Sequence, residues 1–181
     1  MKDLDQELKQ FVFGYRSENH NYAKQQADIL FDKYPKDIVL LNTIGVLFLQ
    51  NKKFEDSIKV FKKLLVLKPK DLNIYHNLGI AWTQLNNIDE AIACYLKAEK
   101  LHSKISLTYY NLGILYSKSN KYEDSIIYYK KAIELNPGVA KYYYNLAWAQ
   151  AELKQYEISI ETQKKAIELN PGVAKYYYNL A

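Results

Sequence analysis

The chain has 181 residues, 49% of them apolar, with 25 basic and 20 acidic side chains for a net charge of +5. Its lone cysteine, Cys94, excludes an internal disulfide and fits a reducing compartment. The polar opening MKDLDQELKQ has no apolar core to serve as a secretory signal. The most apolar stretch, Ile38–Leu49, is too short to cross a bilayer, so the chain reads as soluble and cytoplasmic.

Taken in order, the residues fall into a 34-residue frame: Leu4–Asp37, Ile38–Asp71, Leu72–Ile105, Ser106–Val139 and Ala140–Val173, with Ala174–Ala181 opening a sixth unit. Pro35, Pro69, Pro137 and Pro171 mark the joints, and Ser103 takes that place in the third unit. A proline cannot continue a helix interior, so each separates one helix from the next. No Gly/Ser-rich or Pro-rich linker interrupts the series, which reads as one domain over residues 1–181. The period is sharpest at the end. Lys130–Ala147 and Lys164–Ala181 both read KKAIELNPGVAKYYYNLA. The identity includes Lys130, Lys131, Gly138 and Lys141, which packing does not dictate, and so reflects a recent duplication or a constructed sequence.

Within a unit the apolar spacing is helical. In Ser106–Val139, Tyr109, Leu112, Gly113 and Tyr116 fall at i, i+3, i+4 and i+7 on a first helix. Ser119-Asn120-Lys121 breaks it, and Ser125, Tyr129, Ala132 and Leu135 mark one face of a second. Small residues stand where two helices must approach closely: Gly45, Gly79, Gly113 and Ala147 on first helices, Ala23, Ser57, Ala91, Ser125 and Ser159 on second ones. Acidic pairs (Glu55-Asp56, Asp89-Glu90, Glu123-Asp124) recur where second helices start, and negative charge favours a helix N-terminus by about 0.3–1 kcal/mol. These are structural carboxylates rather than catalytic ones.

This pattern resembles the tetratricopeptide repeat, whose first helix carries an aromatic, Leu-Gly and an aromatic, and whose second carries a small residue, an aromatic, Ala and a closing Pro. Tyr109, Leu112, Gly113, Tyr116, Tyr122, Ser125, Tyr129, Ala132 and Pro137 match it. The resemblance implies an all-α fold, a right-handed α-solenoid of stacked antiparallel helix pairs. The first unit departs: Phe11 stands where Gly is usual and Gln10 where Leu is usual, so the packing of Leu4–Arg16 does not follow from the pattern. The second helix of that unit, Asn21–Tyr34, does follow. In the fifth unit Gln163 replaces the aromatic, which implies a thinner core.

No catalytic constellation is present. His20, His76 and His102 lie in different units without metal-ligand spacing, and there is no Gly-rich phosphate loop or nucleophile elbow. No enzyme activity, metal or cofactor is implied. Lys52, Lys53, Lys59, Lys62, Lys63, Lys68 and Lys70 crowd the second unit, yet no basic stripe continues beyond it. A solvated helix face is therefore the reading preferred over nucleic acid.

The face that can bind is the first-helix one, which the resemblance places along a concave groove. It carries Asn77, Asn111 and Asn145, with Asn179 in the last segment. A side-chain amide can both donate to and accept from a peptide bond, so one per unit can hold an extended segment through its backbone. The row is similar to the asparagine ladder of O-linked N-acetylglucosamine transferases, although such residues also bond between helices. Val46, Ile80, Ile114 and Trp148 run beside it, flanked by His76, Tyr110 and Tyr144, with Tyr144 and Trp148 the expected anchors. A clamp for a C-terminal carboxylate is disfavoured. Leu8, Val12, Asn42 and Val46 hold its places in the first two units, and Lys141 alone matches a cationic position.

These features point to a non-catalytic scaffold for a protein or peptide partner. Two alternatives stay open. Tyr176, Tyr177, Tyr178 and Leu180 at the C-terminal end can serve homo-oligomeric stacking, or the repeats can be the targeting arm of a larger enzyme such as a glycosyltransferase.

Overall fold

A computed structural model of the chain describes residues 2–16, 20–101 and 104–180. His102 and Ser103, and the side chains of His20, Ala23, Tyr178, Asn179 and Leu180, lie outside the described residues. Among those described there are helices and no strand. The chain divides into two compact units, Met1–Asn87 and Ile88–Ala181. The first holds α1 (Lys2–Arg16), α2 (His20–Lys33), α3 (Ile38–Gln50), α4 (Phe54–Leu67) and α5 (Leu72–Gln84). The second holds α6 (Ile88–Lys100), α7 (Ser106–Lys118), α8 (Tyr122–Leu135), α9 (Ala140–Glu152), α10 (Tyr156–Leu169) and a 3₁₀ helix, Ala174–Leu180. Helices α3, α5, α7 and α9 start on the first residue of the sequence-derived repeats. In the first unit α1 packs on α2, α3 on α4 and α4 on α5, and in the second each helix packs on the next, while α3 touches α5 as α7 touches α9. The expected all-α stack of helix pairs is present in both.

Local signals set the helix ends. Asp37 accepts from the Leu40 amide and Asp71 from the Asn73 amide, capping α3 and α5. The acidic pairs lie in the first turns of α4, α6 and α8. At the other end, Lys52, Asn86, Asn120 and Lys154 take φ of 60, 56, 57 and 59°, once in each of the second to fifth repeats, between the helices of a pair. Each is the left-handed residue of a Schellman closure. Lys121 N–H donates to the Tyr116 carbonyl and Asn120 N–H to that of Ser117, and the same pair of bonds recurs at the other three joints. The sequence marks these positions weakly, because lysine and asparagine share them and no glycine does.

Helix-to-helix distance follows from one small and one large residue facing each other. A Cβ at Gly45 would sit 2.8 Å from the Phe61 ring, and one at Gly113 would sit 2.5 Å from the Tyr129 ring. Both rings are fully buried or nearly so, and burial of a side chain the size of Phe61 contributes about 1.5–3 kcal/mol. Hydroxyls brace the same crossing: Ser57 donates to the Gly45 carbonyl at 2.9 Å and Ser159 to that of Ala147 at 2.7 Å.

The two irregular repeats fill the equivalent positions differently. In the first, the large residue is Phe11 on α1, edge-on to Phe48 at 6.4 Å, and the small one is Ala27 on α2; both are fully buried. In the fifth, Ala147 has a Cβ, and its second-helix counterpart is the slimmer Gln163. Gln163 is only 1% exposed and donates from Nε2 to the Tyr176 carbonyl at 2.5 Å. The thin place in the core is thus filled by an amide that ties the 3₁₀ helix to α10. The eight letters AKYYYNLA also end in two structures. They open the α-helix α9, where Trp148–Glu152 carry the helix on, whereas Ala174–Leu180 is 3₁₀.

Gly113→Ala should therefore cost about 1–3 kcal/mol in urea unfolding followed by circular dichroism, by forcing the Tyr129 ring aside. Combining it with Tyr129→Gln rebuilds the Ala147/Gln163 pairing. The double variant should lose less than the sum of the singles, by at least about 0.5 kcal/mol.

Candidate functional site: the first-helix face

In the second unit this face is built on α7 and α9. Asn111 donates from Nδ2 to the Tyr95 hydroxyl at 2.9 Å, and Asn145 donates to the Tyr110 hydroxyl at 2.9 Å. Each amide is oriented by a phenol on an earlier helix, and each keeps one N–H and its Oδ1 for a further partner. The first unit has no equivalent of the Tyr95 tether. Sixteen residues separate Tyr95 from Asn111, and the same step back from Asn77 reaches Phe61, which has no hydroxyl.

Tyr110 lies half-buried against Tyr142, with ring centroids 4.7 Å apart, and against Tyr129 at 5.9 Å. The Lys141 ammonium sits 4.9 Å above its ring. The duplicated block reproduces the arrangement one repeat on: Tyr144 packs on Tyr176 at 5.0 Å, under the Lys175 ammonium at 4.8 Å. Burial pushes the Tyr110 phenol up to about 12, with the rings of Tyr129 and Tyr142 acting in the same direction and the Asn145 hydrogen bond against it. Tyr128 is pushed up as well, by burial first and then by Glu99, whose carboxylate also binds Lys131 at 2.6 Å.

The apolar row is half-buried throughout. Ile114 and Trp148 pack on the cluster of Tyr129, Leu146 and Ala149, and Trp148 meets Tyr122 edge to face at 5.6 Å. In the first unit Val46, Asn77 and Ile80 are half-buried on α3 and α5. His76 is placed differently from the sequence expectation. It is 8% exposed, and burial lowers its pKa, so it belongs to the packing of α5 rather than to a groove wall.

Tyr176 also lies inside, 5% exposed against Ala140 and Ala166, which withdraws it from any surface for self-association. Tyr177 stays half exposed, its hydroxyl donating to the Pro171 carbonyl at 3.2 Å as Tyr75 does to Pro69 at 3.1 Å. The contributions of Tyr95, Tyr142 and Tyr122 to the face do not follow from the repeat pattern. The available signal was tyrosine where phenylalanine would pack equally well, since a buried hydroxyl seeks a partner.

Among the described residues no three His, Cys, Asp or Glu side chains converge to hold a metal ion, and no helix is long and apolar enough to cross a membrane.

Family models described as tetratricopeptide repeat match residues 42–104, 106–139 and 128–161. The chain belongs to the tetratricopeptide repeat family. No curated protein sequence matches it. Among solved structures it is similar to MamA, at 22% identity and a TM-score of 0.82 over 94% of this chain and 93% of that one. It is also similar to YrrB, a TPR protein with an unusual peptide-binding site, at 18% identity and a TM-score of 0.76 over 84% and 79%. PilF of Pseudomonas aeruginosa gives 16% and 0.76 over 97% and 80%. At these identities the likeness is one of fold.

The phenols give a pH signature. Tyr110 and Tyr129 keep their protons above 10.0, the ordinary tyrosine value, at which an unfolded chain loses them. The folded state then binds more protons than the unfolded one, so stability falls as pH rises from about 10 towards 12 and is untouched below that window. Melting temperature should drop across that range, and Tyr110→Phe should flatten the drop.

Proposed function

We propose that the chain is a non-catalytic scaffold whose first-helix face binds an extended peptide segment of a partner protein. The observation that carries this reading is the pair of tethered amides. Asn111 and Asn145 are fixed by Tyr95 and Tyr110, yet each retains a donor and an acceptor, the complement of a peptide unit. Tethering lowers the ordering cost on binding, since the amide rotamer is already set. Beside them, Ile114 and Trp148 offer half-buried apolar surface, with one side of the indole held by Tyr122. An aromatic anchor next to backbone-reading amides suits a ligand chosen mainly for being extended, with one apolar side chain seated at Trp148. The peptide-binding site of YrrB, on a similar fold, supports the same use of these repeats.

Linear peptides displayed as an unbiased library and selected on the full chain provide the test. Binding of selected clones should fall at least ~tenfold for Asn111→Ala/Asn145→Ala and for Trp148→Ala, about 1.4 kcal/mol or more, with helicity retained. Clones that bind both variants as well as the parent would overturn the site.

A further inference from the structure

A second surface lies away from these residues, wholly within the first unit. Helix α4 carries Lys59, Lys62, Lys63 and Val66 at i, i+3, i+4 and i+7, a single stripe along the helix. Val66 is 82% exposed, among lysines, with no packing role that its exposure reveals. The stripe borders a cavity of about 720 Å³ whose other lip is α2, through Asp28 and Phe31, and whose apolar lining includes Val60 and the buried Phe48. That volume lies in the range of sites that bury a ligand, roughly 300–1,000 Å³.

The charges at this cleft are arranged for an anionic guest. Asp56 lies 3.7 Å from Lys59. The ammonium groups of Lys62 and Lys63 instead end over rings, 5.4 Å from Trp82 and 4.8 Å from Phe31. A ring face holds an exposed ammonium weakly and leaves its N–H donors unspent, while a carboxylate makes the stronger charge-assisted bond. A guest bearing carboxylates can therefore recruit both lysines, and the Phe31 ring that Lys63 leaves is then open to the guest's apolar side. Nucleic acid fits less well, because most of the exposed lining is apolar.

We infer that the cleft between α2 and α4 is a second binding site, for an acidic amphipathic helix of a partner protein, with apolar residues on Phe31, Val60 and Val66 and carboxylates on Lys62 and Lys63. Docking of a helix by its apolar face into such a groove is a common mode of peptide recognition.

The test uses the full chain and a fluorescein-labelled, helix-forming peptide of roughly 16 residues. Leu and Phe occupy its i, i+3, i+4 and i+7 positions and Glu most of the rest, and a counterpart carries Lys for Glu. In anisotropy titrations the acidic peptide should saturate, and its affinity should fall with added salt. Lys62→Glu/Lys63→Glu should weaken it at least ~tenfold. Val66→Glu should do likewise with an unchanged circular dichroism spectrum, since its side chain is already in solvent. Asn111→Ala/Asn145→Ala should leave it unaltered, which separates this site from the first-helix face. Equal binding of the Lys counterpart, indifference to the charge reversals, or absence of saturation up to about 1 mM would overturn the inference. Tighter binding of a single-stranded oligonucleotide or of oleate at the same residues would overturn it too.

Discussion

The rest of the structure depends on one steric constraint: where the helices of a pair cross over a buried ring, the residue opposite that ring must be small. A Cβ where Gly113 stands would be 2.5 Å from the Tyr129 ring, closer than packed atoms come. That contact sets how near the two helices of a pair can lie, and with it how the next repeat is received. The equivalent positions are filled with different letters. Glycine faces a ring at Gly45 and Gly113, alanine goes with a glutamine at Ala147, and in the first repeat the sizes are reversed, Phe11 on α1 and Ala27 on α2. The residue pair at these register positions thus varies from repeat to repeat.

With the crossing fixed, polar groups take over the finer placement. The Tyr95 hydroxyl holds Asn111, the Tyr110 hydroxyl holds Asn145, and the lysines of the following repeat close over the rings. The tyrosine excess is therefore not a uniform filler. The same residue type packs a core at Tyr129, orients an amide at Tyr110 and clasps a joint carbonyl at Tyr75 and Tyr177. What separates these uses is the neighbour the hydroxyl meets.

Helix positions were legible in the sequence because proline, the small residue and the acidic first turn recur in one register, and the helices begin where that register predicts. The left-handed joints were not, since Lys52, Asn86, Asn120 and Lys154 share a backbone conformation without sharing a residue type. For the candidate face, the asparagines and Trp148 could be named from their place in the repeat, but not the phenols that steer them, because those contacts join different helices. His76 and Tyr176 show the reverse limit. His76 sits where the repeat pattern suggests exposure and Tyr176 in the last segment, offered for stacking, and both are covered by neighbours that a one-dimensional pattern does not display. The lysines of α4 were visible as charge; the apolar cleft they border arises only when α2 lies alongside.

The duplicated block raises a different matter, that of folding. Lys130–Ala147 and Lys164–Ala181 present the same side chains, and the stacks Tyr110–Tyr142 and Tyr144–Tyr176 are near copies, with centroids 4.7 and 5.0 Å apart at the same 33° tilt. During folding either copy can settle onto the Tyr110 ring, and local contact energy does not tell them apart. The decision falls to connectivity, because seating the later copy there would loop out an intervening helix pair, and a longer loop closes at a greater entropic cost. That margin grows only with the logarithm of loop length. Register in this part of the chain thus depends on the tether between the copies as well as on side-chain fit.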